Sequence, residues 1–492
     1  MDPDAEASRR LDELVRSLDE RPDGRAVLEI ARAVDAAGGR ALLVGGGVRD
    51  ALLGLPPAKE FDLEVSRLSP EALEGVLRAF GDVIVVGRSF GVFRVKGIGV
   101  DVSLPRRDSK SGPGHRGFDV AVDPSMSFTE ASRRRDLRMN SMGFDLLTRE
   151  LLDPHDGRRD IAEGVLRATD ARRFADDPLR ALRAAQMSAR FEMSADAELC
   201  ALCAELDLSE LPGERCYEEF RKLLLKARKP SRGLALLHDT RLLRFFPEIA
   251  ALVGVPQDPT WHPEGDVWVH TLMVVDVAAG LCTGNERDDA ILMFGALCHD
   301  FGKPLTTEHV DGRIRSRAHD REGIAPTLRF LERLRAPSAL AAAVAATVHY
   351  HLAPALLEKG GATEKAYRRL ARKLESAGVT MELLCRVARA DHLGRTTGEA
   401  LAGRFPAGDQ FLEKAATLRV THAAEPDVVK GRHLIARGLA PGPQFTEILN
   451  ACRDHQYETG GTNPQTILDT VLPQLGAGDD ELGRNVPKSP KL

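Results

Sequence analysis

One stretch, LVGGGVRDALLGLPPAKEFDLEV at residues 43–65, constrains the fold of this chain more than any other. It predicts a short apolar strand, a turn through the glycines at 45–47, a short helix, and a second strand after a pair of prolines. In the second strand Glu60, Asp62 and Glu64 alternate with apolar residues. Because the side chains of a strand alternate between its faces, the sequence predicts three carboxylates on one face.

The crowding of these carboxylates indicates a cation site. Hard divalent ions such as Mg²⁺ take oxygen ligands of this kind, and the upstream glycines let backbone N–H groups approach phosphates. Together these features favour a metal-dependent nucleotidyl-transfer site. Taken alone, the carboxylates favour an edge strand with a solvated acidic face, and it is the adjoining glycine turn that argues for the metal site.

Composition narrows the class of protein. A chain of 492 residues with 43% apolar and 29% charged residues is typical of a globular protein with several domains. Aromatic residues make up only 5%, so stacking of bases on an aromatic platform is not the expected route to nucleic-acid binding. With a net charge of −5, contacts to RNA must come from local basic patches.

The compartment is predicted from what the sequence lacks. The N-terminal segment has no apolar core of a signal peptide, and no run of 18 apolar residues occurs, so we expect a cytoplasmic protein without membrane association. Cys200 and Cys203 form a CxxC, but no second pair follows at zinc-site spacing. We therefore expect the seven cysteines to be reduced and to serve helix packing.

Asp101, in GVDVSL, supplies a third carboxylate on a predicted neighbouring strand, which a two-metal site needs. An ordinary acid at a strand end remains the alternative. The glycine-rich basic segment 105–120 is predicted to be a mobile loop rather than core. The three arginines at 133–135 fit triphosphate binding beside an acidic site, although such a group also marks a solvated face.

These motifs carry a resemblance. GGxVRDxLLG, a spaced acidic pair, PRR and RRDxxxNxM, in that order, resemble the nucleotidyltransferase head of class II tRNA CCA-adding enzymes and bacterial poly(A) polymerases. The continuation LLDPHDGRRDIAEGVLRATD and FADDPLRALRAAQMSARF resembles the neck of that family. The resemblance implies an α+β fold, with a small mixed-sheet head followed by a mostly α-helical neck, body, HD domain and tail.

The resemblance also implies roles for residues of the head. Glu60 and Asp62 would hold two Mg²⁺ ions, and Asp101 would activate the terminal 3′-hydroxyl. The triphosphate would be seated by Gly45, Gly46, Arg49 and Arg135. The family normally has Asp first in a KDxD sequence, whereas this chain has Glu60 in KEFD. The longer stem moves the carboxylate by about one methylene, which bears on rate or metal preference.

The segment DDPLR allows a physical argument for base selection. Asp177 and Arg180 are three residues apart on a predicted helix, so they share a face. An aspartate accepts from an exocyclic amino group and an arginine donates to a ring nitrogen or carbonyl, a pattern that fits cytosine and adenine but not uracil or guanine. The alternative is that Asp177 caps the helix. Arg183 extends the same face toward the phosphates.

A second constellation follows at residues 254–395. Histidine and aspartate side chains from separate predicted helices suit a hydrolytic metal centre. The order H…HD…D, with GK after the HD pair, resembles the HD phosphohydrolase superfamily. The resemblance places a divalent metal of unidentified type on His270, His299, Asp300 and Asp391, with His319 and His351 as auxiliary groups near a bound phosphate. A purely structural HD domain is the alternative.

The predicted domains are N-terminal helices (1–38), head (39–150), neck and tRNA-contacting helices (151–253), HD domain (254–395), C-terminal helices (396–475) and a disordered tail (476–492). The basic stretch at 221–232 faces either the acceptor stem of tRNA or solvent. The expected function is addition of CCA to tRNA from CTP and ATP, with hydrolysis of phosphoesters such as 2′,3′-cyclic phosphates. Alternatives are a CC-adding, A-adding or poly(A)-adding relative, or a phosphohydrolase whose inactive head binds RNA.

Overall fold

The computed structural model describes residues 3–57, 60–86, 91–110 and 118–475, so the tail expected at 476–492 lies outside the described residues. The chain forms two compact units. Unit 1 comprises Met1–Ala250 and Arg333–Arg335, and unit 2 comprises Ala251–Glu332 and Ala336–Leu492. The expected head and all but the last three residues of the expected neck fall in unit 1, and the expected HD centre falls in unit 2.

Unit 1 is built on a mixed sheet of seven strands in the order β3-β4-β5-β2-β1-β8-β9. Strands β2 and β5 run parallel, and the other neighbours pair antiparallel. The strands of the unit are β1 (Arg40–Val44), β2 (Phe61–Ser66), β3 (Val83–Val86), β4 (Val92–Val95), β5 (Val100–Ser103), β6 (Arg106–Lys110), β7 (Phe118–Val122), β8 (Gly143–Asp145), β9 (Leu151–Leu152), β10 (Val165–Leu166) and β11 (Ser194–Ala195).

The helices of unit 1 cover the sheet and then continue as a helical body. The expected amphipathic helices α1 and α2 are present, and Leu18, Val27, Ile30 and Val34 place their apolar faces in the core that the sheet shares. The helices are α1 (Pro3–Glu20), α2 (Pro22–Ala36), α3 (Gly46–Leu52), α4 (Pro70–Leu77), α5 (Phe128–Ser132), α6 (Gly157–Glu163), α7 (Ala171–Phe174), α8 (Leu179–Phe191), α9 (Ala197–Glu205), α10 (Gly213–Leu225), α11 (Pro230–Asp239) and α12 (Pro247–Ala250).

The prediction of a loop over residues 105–120 is wrong at both ends of that segment. Strands β6 and β7 pair antiparallel from Arg106 opposite Val122 to Lys110 opposite Phe118, while residues 111–117 lie outside the described residues. The backbone hydrogen bonds of a ladder do not require apolar side chains on both strands, so the polar strand Arg106–Lys110 can pair with the more apolar strand Phe118–Val122. The glycine content of the centre concealed this hairpin from sequence reasoning.

Unit 2 is a helical bundle in which the apolar helices α13, α14, α18 and α21 pack on one another. Its elements are α13 (Val267–Gly280), α14 (Glu286–Cys298), α15 (Lys303–Thr306), β12 (Thr307–Val310), β13 (Arg313–Ser316), α16 (His319–Glu322), α17 (Ile324–Arg333), α18 (Ser338–Tyr350), α19 (Ala353–Lys359), α20 (Glu364–Ser376), α21 (Met381–Leu393), α22 (Gly398–Leu401), α23 (Pro406–Thr417), α24 (Gly431–Ala436), α25 (Gln444–Thr459) and α26 (Pro464–Gln474).

One helical run of unit 2, Ser338–Lys359, has the length and apolar composition of a membrane span. It comprises α18 and α19, and α18 buries Ala343, Val344 and Val348 against neighbouring helices. About 39% of the apolar window is buried, so one face of this run packs on its neighbours.

Candidate active sites

The parallel pairing of β2 and β5 brings the two predicted head carboxylates together. Asp62 and Asp101 are direct partners in the register of these strands, so their side chains lie on the same face of the sheet. Gly45, with φ +67°, begins the turn into α3, and a Cβ there would lie 3.3 Å from Arg135 Nη1 and 3.9 Å from Asp62 Oδ2. Gly45, Asp62, Asp101 and Arg135 therefore lie close together.

The electrostatics of Asp62 fit a bound cation. Close packing around this carboxyl raises its pKa; Arg135 opposes the shift, and the nearby Asp101 and Glu60 reinforce it. Solvent reaches the exposed Asp62 side chain and screens part of this effect. A divalent ion among the three acids would remove their mutual repulsion, and their oxygen donors suit Mg²⁺.

Arg94 is a head residue that sequence reasoning missed. Its Nε and Nη2 each donate to Asp101, to Oδ1 and Oδ2 respectively, at 2.6 Å. Arg94 lies opposite Asp101 in the antiparallel register of β4 and β5. Cross-strand pairing of the two segments was the signal that could have found it. Asp101 is thus held by a bidentate ion pair in this structure.

The three carboxylates predicted to share one face of this strand differ in position and burial. Strand β2 begins at Phe61, so Glu60 precedes it and is exposed, whereas Glu64 is buried. Glu64 Oε2 accepts from Arg134 Nη2 at 3.4 Å and from Arg135 Nη2 at 3.3 Å. Glu64 therefore acts as the counter-ion that positions the arginines.

Arg49 lies in a buried polar network beneath the glycine turn. Its guanidinium pairs with Asp50 at 2.6 Å, donates to Asn140 Oδ1 at 2.6 Å and lies over the ring of Phe191, 4.6 Å from the centroid. A Cβ on Gly46 would lie 3.4 Å from Arg49 Nη2. The contacts of Arg49 in this structure join the turn to α8.

The predicted base-reading pair is engaged within the protein. Asp177 Oδ1 accepts from the backbone of Leu179 at 3.1 Å, which is the capping role considered as the alternative, and Oδ2 accepts from Arg215 Nη2 at 2.8 Å. The Arg180 guanidinium donates to the carbonyls of Arg173 and Arg134. Arg215 comes from α10, distant in sequence, and so carried no sequence signal.

Arg183 pairs with Asp136, a buried acid that sequence analysis did not identify as a candidate site residue. Its Nε donates to Asp136 Oδ2 at 2.6 Å. Burial would raise the pKa of Asp136, but Arg183, a hydrogen bond from Asn140 and the backbone N–H of Leu137 lower it to about 2. Asp136 thus stays ionised and ties the end of the head to α8.

In unit 2 the four predicted HD ligands converge in a buried cluster. His270 comes from α13, His299 and Asp300 follow α14, and Asp391 comes from α21. His270 Nε2 lies 3.1 Å from Asp391 Oδ1 and 4.0 Å from Asp300 Oδ2, and His299 Nε2 lies 3.1 Å from Asp300 Oδ2. The ligand atoms of His270, His299 and Asp391 lie within 4.8 Å of one another.

The donor set of this cluster fits a metal. His299 Nδ1 faces the carbonyl of Ala296 at 2.8 Å, so it carries the proton and leaves Nε2 with a lone pair. Within the described residues, His299 Nε2 and both oxygens of Asp300 lack a hydrogen-bond partner of good geometry. Buried ligand atoms without hydrogen bonds are those a cation would satisfy.

Further groups orient the cluster and line a cavity of about 220 Å³ beside it. Glu264 contacts His270 Nδ1 at 2.8 Å, and His262 and His270 lower the pKa of Glu264 against the effect of burial. Lys303 Nζ lies 2.7 Å from Asp300 Oδ2, and Arg395 pairs with Asp391 at 3.0 Å. The two cations line the cavity together with Trp261, which is 60% exposed. The cavity thus offers positive charge for a phosphate.

Comparison with known proteins assigns the chain to a family. Family models match at residues 41–167 (poly A polymerase head domain), 197–252 ("Probable RNA and SrmB- binding site of polymerase A") and 267–395 (HD domain). The chain is 36% identical over 423 residues to the multifunctional CCA protein of Xanthomonas campestris pv. campestris (strain B100), a match that covers 84% of this chain and 96% of that protein. The chain belongs to the multifunctional CCA protein family.

A second curated member of the multifunctional CCA protein family, from Stenotrophomonas maltophilia (strain K279a), is 40% identical over 304 residues, 60% of this chain and 71% of that protein. Solved structures share the fold. The Bacillus stearothermophilus CCA-adding enzyme in complex with CTP aligns with TM-score 0.64 and 22% identity, covering 93% of this chain and 98% of that one. The Thermotoga maritima CCA-adding enzyme complexed with tRNA aligns with TM-score 0.56 and 17% identity, covering 94% and 98%.

In this member of the multifunctional CCA protein family, the expected family and fold class are therefore confirmed. Sequence reasoning named both clusters but missed Arg94, Arg215 and Glu264. Each of these three supports a named residue from another segment of the chain. Only the pairing of segments in three dimensions reveals such partners.

Proposed function

We propose that this chain adds C, C and A to the 3′ end of tRNA from CTP and ATP without a nucleic-acid template, releasing pyrophosphate. The observation that carries the proposal is the cross-strand pair of Asp62 and Asp101 beside Gly45 and Arg135, in a member of the multifunctional CCA protein family.

Glu60 and Asp62 are the residues that would hold Mg²⁺, which when bound neutralises charge on the transferring and leaving phosphates. Asp101 accepts the proton of the terminal 3′-hydroxyl as that oxygen attacks the α-phosphorus. Arg135 pairs with the triphosphate through its guanidinium, and the backbone of the turn at Gly45 and Gly46 approaches the same phosphates.

Base selection falls to Asp177 and Arg180, supported by Arg215. The Asp177–Arg215 ion pair fixes the carboxylate, which retains acceptor capacity for an exocyclic amino group. Arg180 turns from its carbonyl partners to a ring nitrogen or carbonyl of the base. The pair would then accept cytosine and adenine and reject uracil and guanine.

The direct test is incubation of the full chain with Mg²⁺, a tRNA lacking CCA, and labelled CTP or ATP. We expect two cytidines followed by one adenosine. Incorporation of cytidines alone, of adenosine alone or of an adenosine run would select the CC-adding, A-adding or poly(A)-adding alternatives. Absence of any incorporation would refute the transferase proposal and favour a phosphohydrolase with an RNA-binding head.

We also propose that the HD centre is a metal-dependent phosphohydrolase acting on 2′,3′-cyclic phosphates or other phosphoesters at tRNA 3′ ends. His270, His299, Asp300 and Asp391 would hold the divalent metal. The observation that favours this activity is that His299 Nε2 and the two oxygens of Asp300, next to Lys303, are buried without a hydrogen-bond partner of good geometry among the described residues. Lys303 and Arg395 would bind the phosphate that enters the cavity. Release of phosphate from a nucleoside monophosphate, or opening of its 2′,3′-cyclic ester, tests this activity.

The domain limits at 38, 150, 253, 395 and 475 and the cytoplasmic location are part of the same proposal. Limited proteolysis followed by mass spectrometry would test the limits, with cleavage expected within a few residues of each.

A further inference from the structure

The cavity beside the HD centre is lined by two kinds of side chain. The cations Lys303 and Arg395 line it next to the buried acids with which they pair. The apolar side chains of Trp261, Ile314 and Leu352 also line it, and Trp261 is 60% exposed. A cavity with cations beside its buried acids and an exposed aromatic ring in its wall fits a ligand that joins a phosphate to a flat apolar ring.

Hydrogen bonds of a turn fix the backbone that carries Trp261. The N–H groups of Trp261 and His262 donate to the carbonyl of Asp258 at 3.0 and 2.9 Å, and the N–H of Thr260 donates to Asp258 Oδ1 at 2.9 Å. The side chain of His262 in turn contacts Glu264 at 2.9 Å. The indole is therefore carried by an ordered segment, so a ligand that binds it has little backbone to order.

The same segment is connected to the cation Lys303. Lys303 Nζ donates to Gln257 Oε1 at 2.6 Å and lies 2.7 Å from Asp300 Oδ2. Gln257 Nε2 donates to the carbonyl of Gly265, at 3.3 Å, at the end of the turn that carries Trp261. Hydrogen bonds thus hold the aromatic ring and the ammonium group in one connected arrangement, and the ammonium group has a third N–H available for a phosphate oxygen.

We propose that Trp261 stacks on the base of a nucleoside phosphate whose phosphate group is bound by Lys303 and Arg395. The inference rests on the proposed phosphohydrolase function and deepens it, because it makes the substrate a nucleotide, free or at the 3′ end of an RNA, rather than any phosphoester. Every base has a π-face, so this stacking selects nucleotides without selecting among the four bases. Trp261 is then a specificity-determining residue of the HD centre.

Intrinsic fluorescence tests the contact directly, because the chain has only two tryptophans. Trp268 is buried in α13 and does not line the cavity, so the two rings report on different surroundings. The full-length chain is mixed with adenosine 2′,3′-cyclic phosphate in a stopped-flow instrument, and the signal is read before turnover. We expect quenching in the wild type and in Trp268→Phe, and no quenching in Trp261→Phe. A Trp268→Phe chain without quenching would overturn the proposal.

Steady-state kinetics separate stacking from a structural role. Trp261→Ala should raise KM for adenosine 2′,3′-cyclic phosphate by about five- to 150-fold, the range for loss of one base stack, with kcat changed by less than about twofold. Its KM for ethylene phosphate, a cyclic phosphodiester without a base, should stay within about twofold of the wild type. Leu401→Ala, which removes an exposed apolar side chain of α22, is the matched control and should alter neither KM. An equal rise of both KM values in Trp261→Ala would overturn the proposal.

A short RNA that ends in a 2′,3′-cyclic phosphate distinguishes the two sources of the nucleotide. Quenching of Trp268→Phe by both this RNA and the mononucleotide would support an RNA end as the ligand, whereas quenching by the mononucleotide alone would support a free nucleotide. Quenching without hydrolysis of either compound would leave the nucleotide site standing and refute the phosphohydrolase function. Hydrolysis without quenching would refute the stacking alone.

Discussion

At the scale of single residues, the head site is defined by how its charges are paired. Asp101 is held by Arg94, Glu64 holds Arg134 and Arg135, and Asp62 is left with a raised pKa. Arginine side chains thus neutralise Asp101 and Glu64, whereas Asp62 stays close to other carboxylates. A metal ion that enters this site would meet Asp101 already paired with Arg94.

Arg94→Gln should lower the Mg²⁺ concentration that gives half the maximal rate of CTP addition by roughly two- to fivefold, the range for loss of an exposed ion pair. The physical reason is that Asp101, no longer paired with a guanidinium, adds its full negative charge beside the Mg²⁺ that Glu60 and Asp62 would hold. A titration of tRNA labelling against Mg²⁺ measures it. Arg78→Gln, which breaks an exposed pair with Glu74 in α4, is the matched control. An unchanged or higher Mg²⁺ requirement in Arg94→Gln would contradict this explanation.

The pH dependence of addition should reflect Asp62. Because its pKa is raised, this acid takes up a proton at a higher pH than an ordinary aspartate and then loses its charge for Mg²⁺. The rate should therefore fall on acidification, and the midpoint of the fall should move to lower pH as Mg²⁺ is increased. Profiles of kcat/KM for CTP at two Mg²⁺ concentrations check this, and coincident midpoints would count against it.

Variants of Glu60 test how much the glutamate, in place of the family's usual aspartate, affects the rate of addition. It is exposed and precedes β2, so its longer stem is free to adjust to a metal. We expect Glu60→Asp to change the addition rate by less than about threefold, whereas Glu60→Ala should lower it by about 10²-fold through loss of a charged ligand. Single-turnover CTP addition measures both. A large gain in Glu60→Asp would show that the glutamate costs activity.

At the scale of elements, Asp136 and Arg183 connect the end of the head to α8. The pKa of Asp136 is about 2 against an ordinary value of 3.8, so its folded-state pKa is depressed. The linked stability is present above about pH 4 and is lost as the pH falls through about 2. For a buried carboxyl this difference corresponds to about 2 kcal/mol in the free energy of unfolding.

Asp136→Asn should therefore lower the free energy of unfolding by about 2 kcal/mol at pH 7, and the deficit should shrink as the pH approaches 2. Urea unfolding at both pH values measures it. Asp19→Asn, at an exposed position of α1, should change the stability little at either pH. A deficit that stays constant with pH would show that Asp136 acts through packing rather than charge.

At the scale of the whole molecule, the two proposed sites fall in different compact units, the head site in unit 1 and the HD centre in unit 2. His299→Ala removes a buried ligand of the HD centre and should lower phosphate release from a 2′,3′-cyclic nucleotide by at least about 10²-fold. CCA addition should stay within about twofold of the wild type, because the head residues lie in the other unit. His309→Ala, which removes an exposed histidine of strand β12, is the control. Equal loss of both activities in His299→Ala would refute independent sites.

Some features of the whole molecule could be predicted from the sequence alone. The GGxVRDxLLG turn, the acidic strand and the H…HD…D order predicted the family and the fold class and supplied candidate residues for both clusters, because these features are local in sequence or recur in a fixed order. Patterns of this kind are set by backbone geometry and ligand chemistry within a few residues.

Only the tertiary structure decided which partner each side chain takes. Arg94 pairs with Asp101 across two neighbouring strands, and Arg215 pairs with Asp177 from another helix. The Nε2 atoms of His319 and His351 lie 3.3 Å apart. Pairing across long sequence separations depends on register and on the packing of whole elements, which the sequence does not display locally. The acidic strand near residue 62 shows the difference between the two kinds of information. Its sequence predicted several neighbouring carboxylates. The tertiary structure places Asp62 beside Asp101 and pairs Glu64 with Arg134 and Arg135.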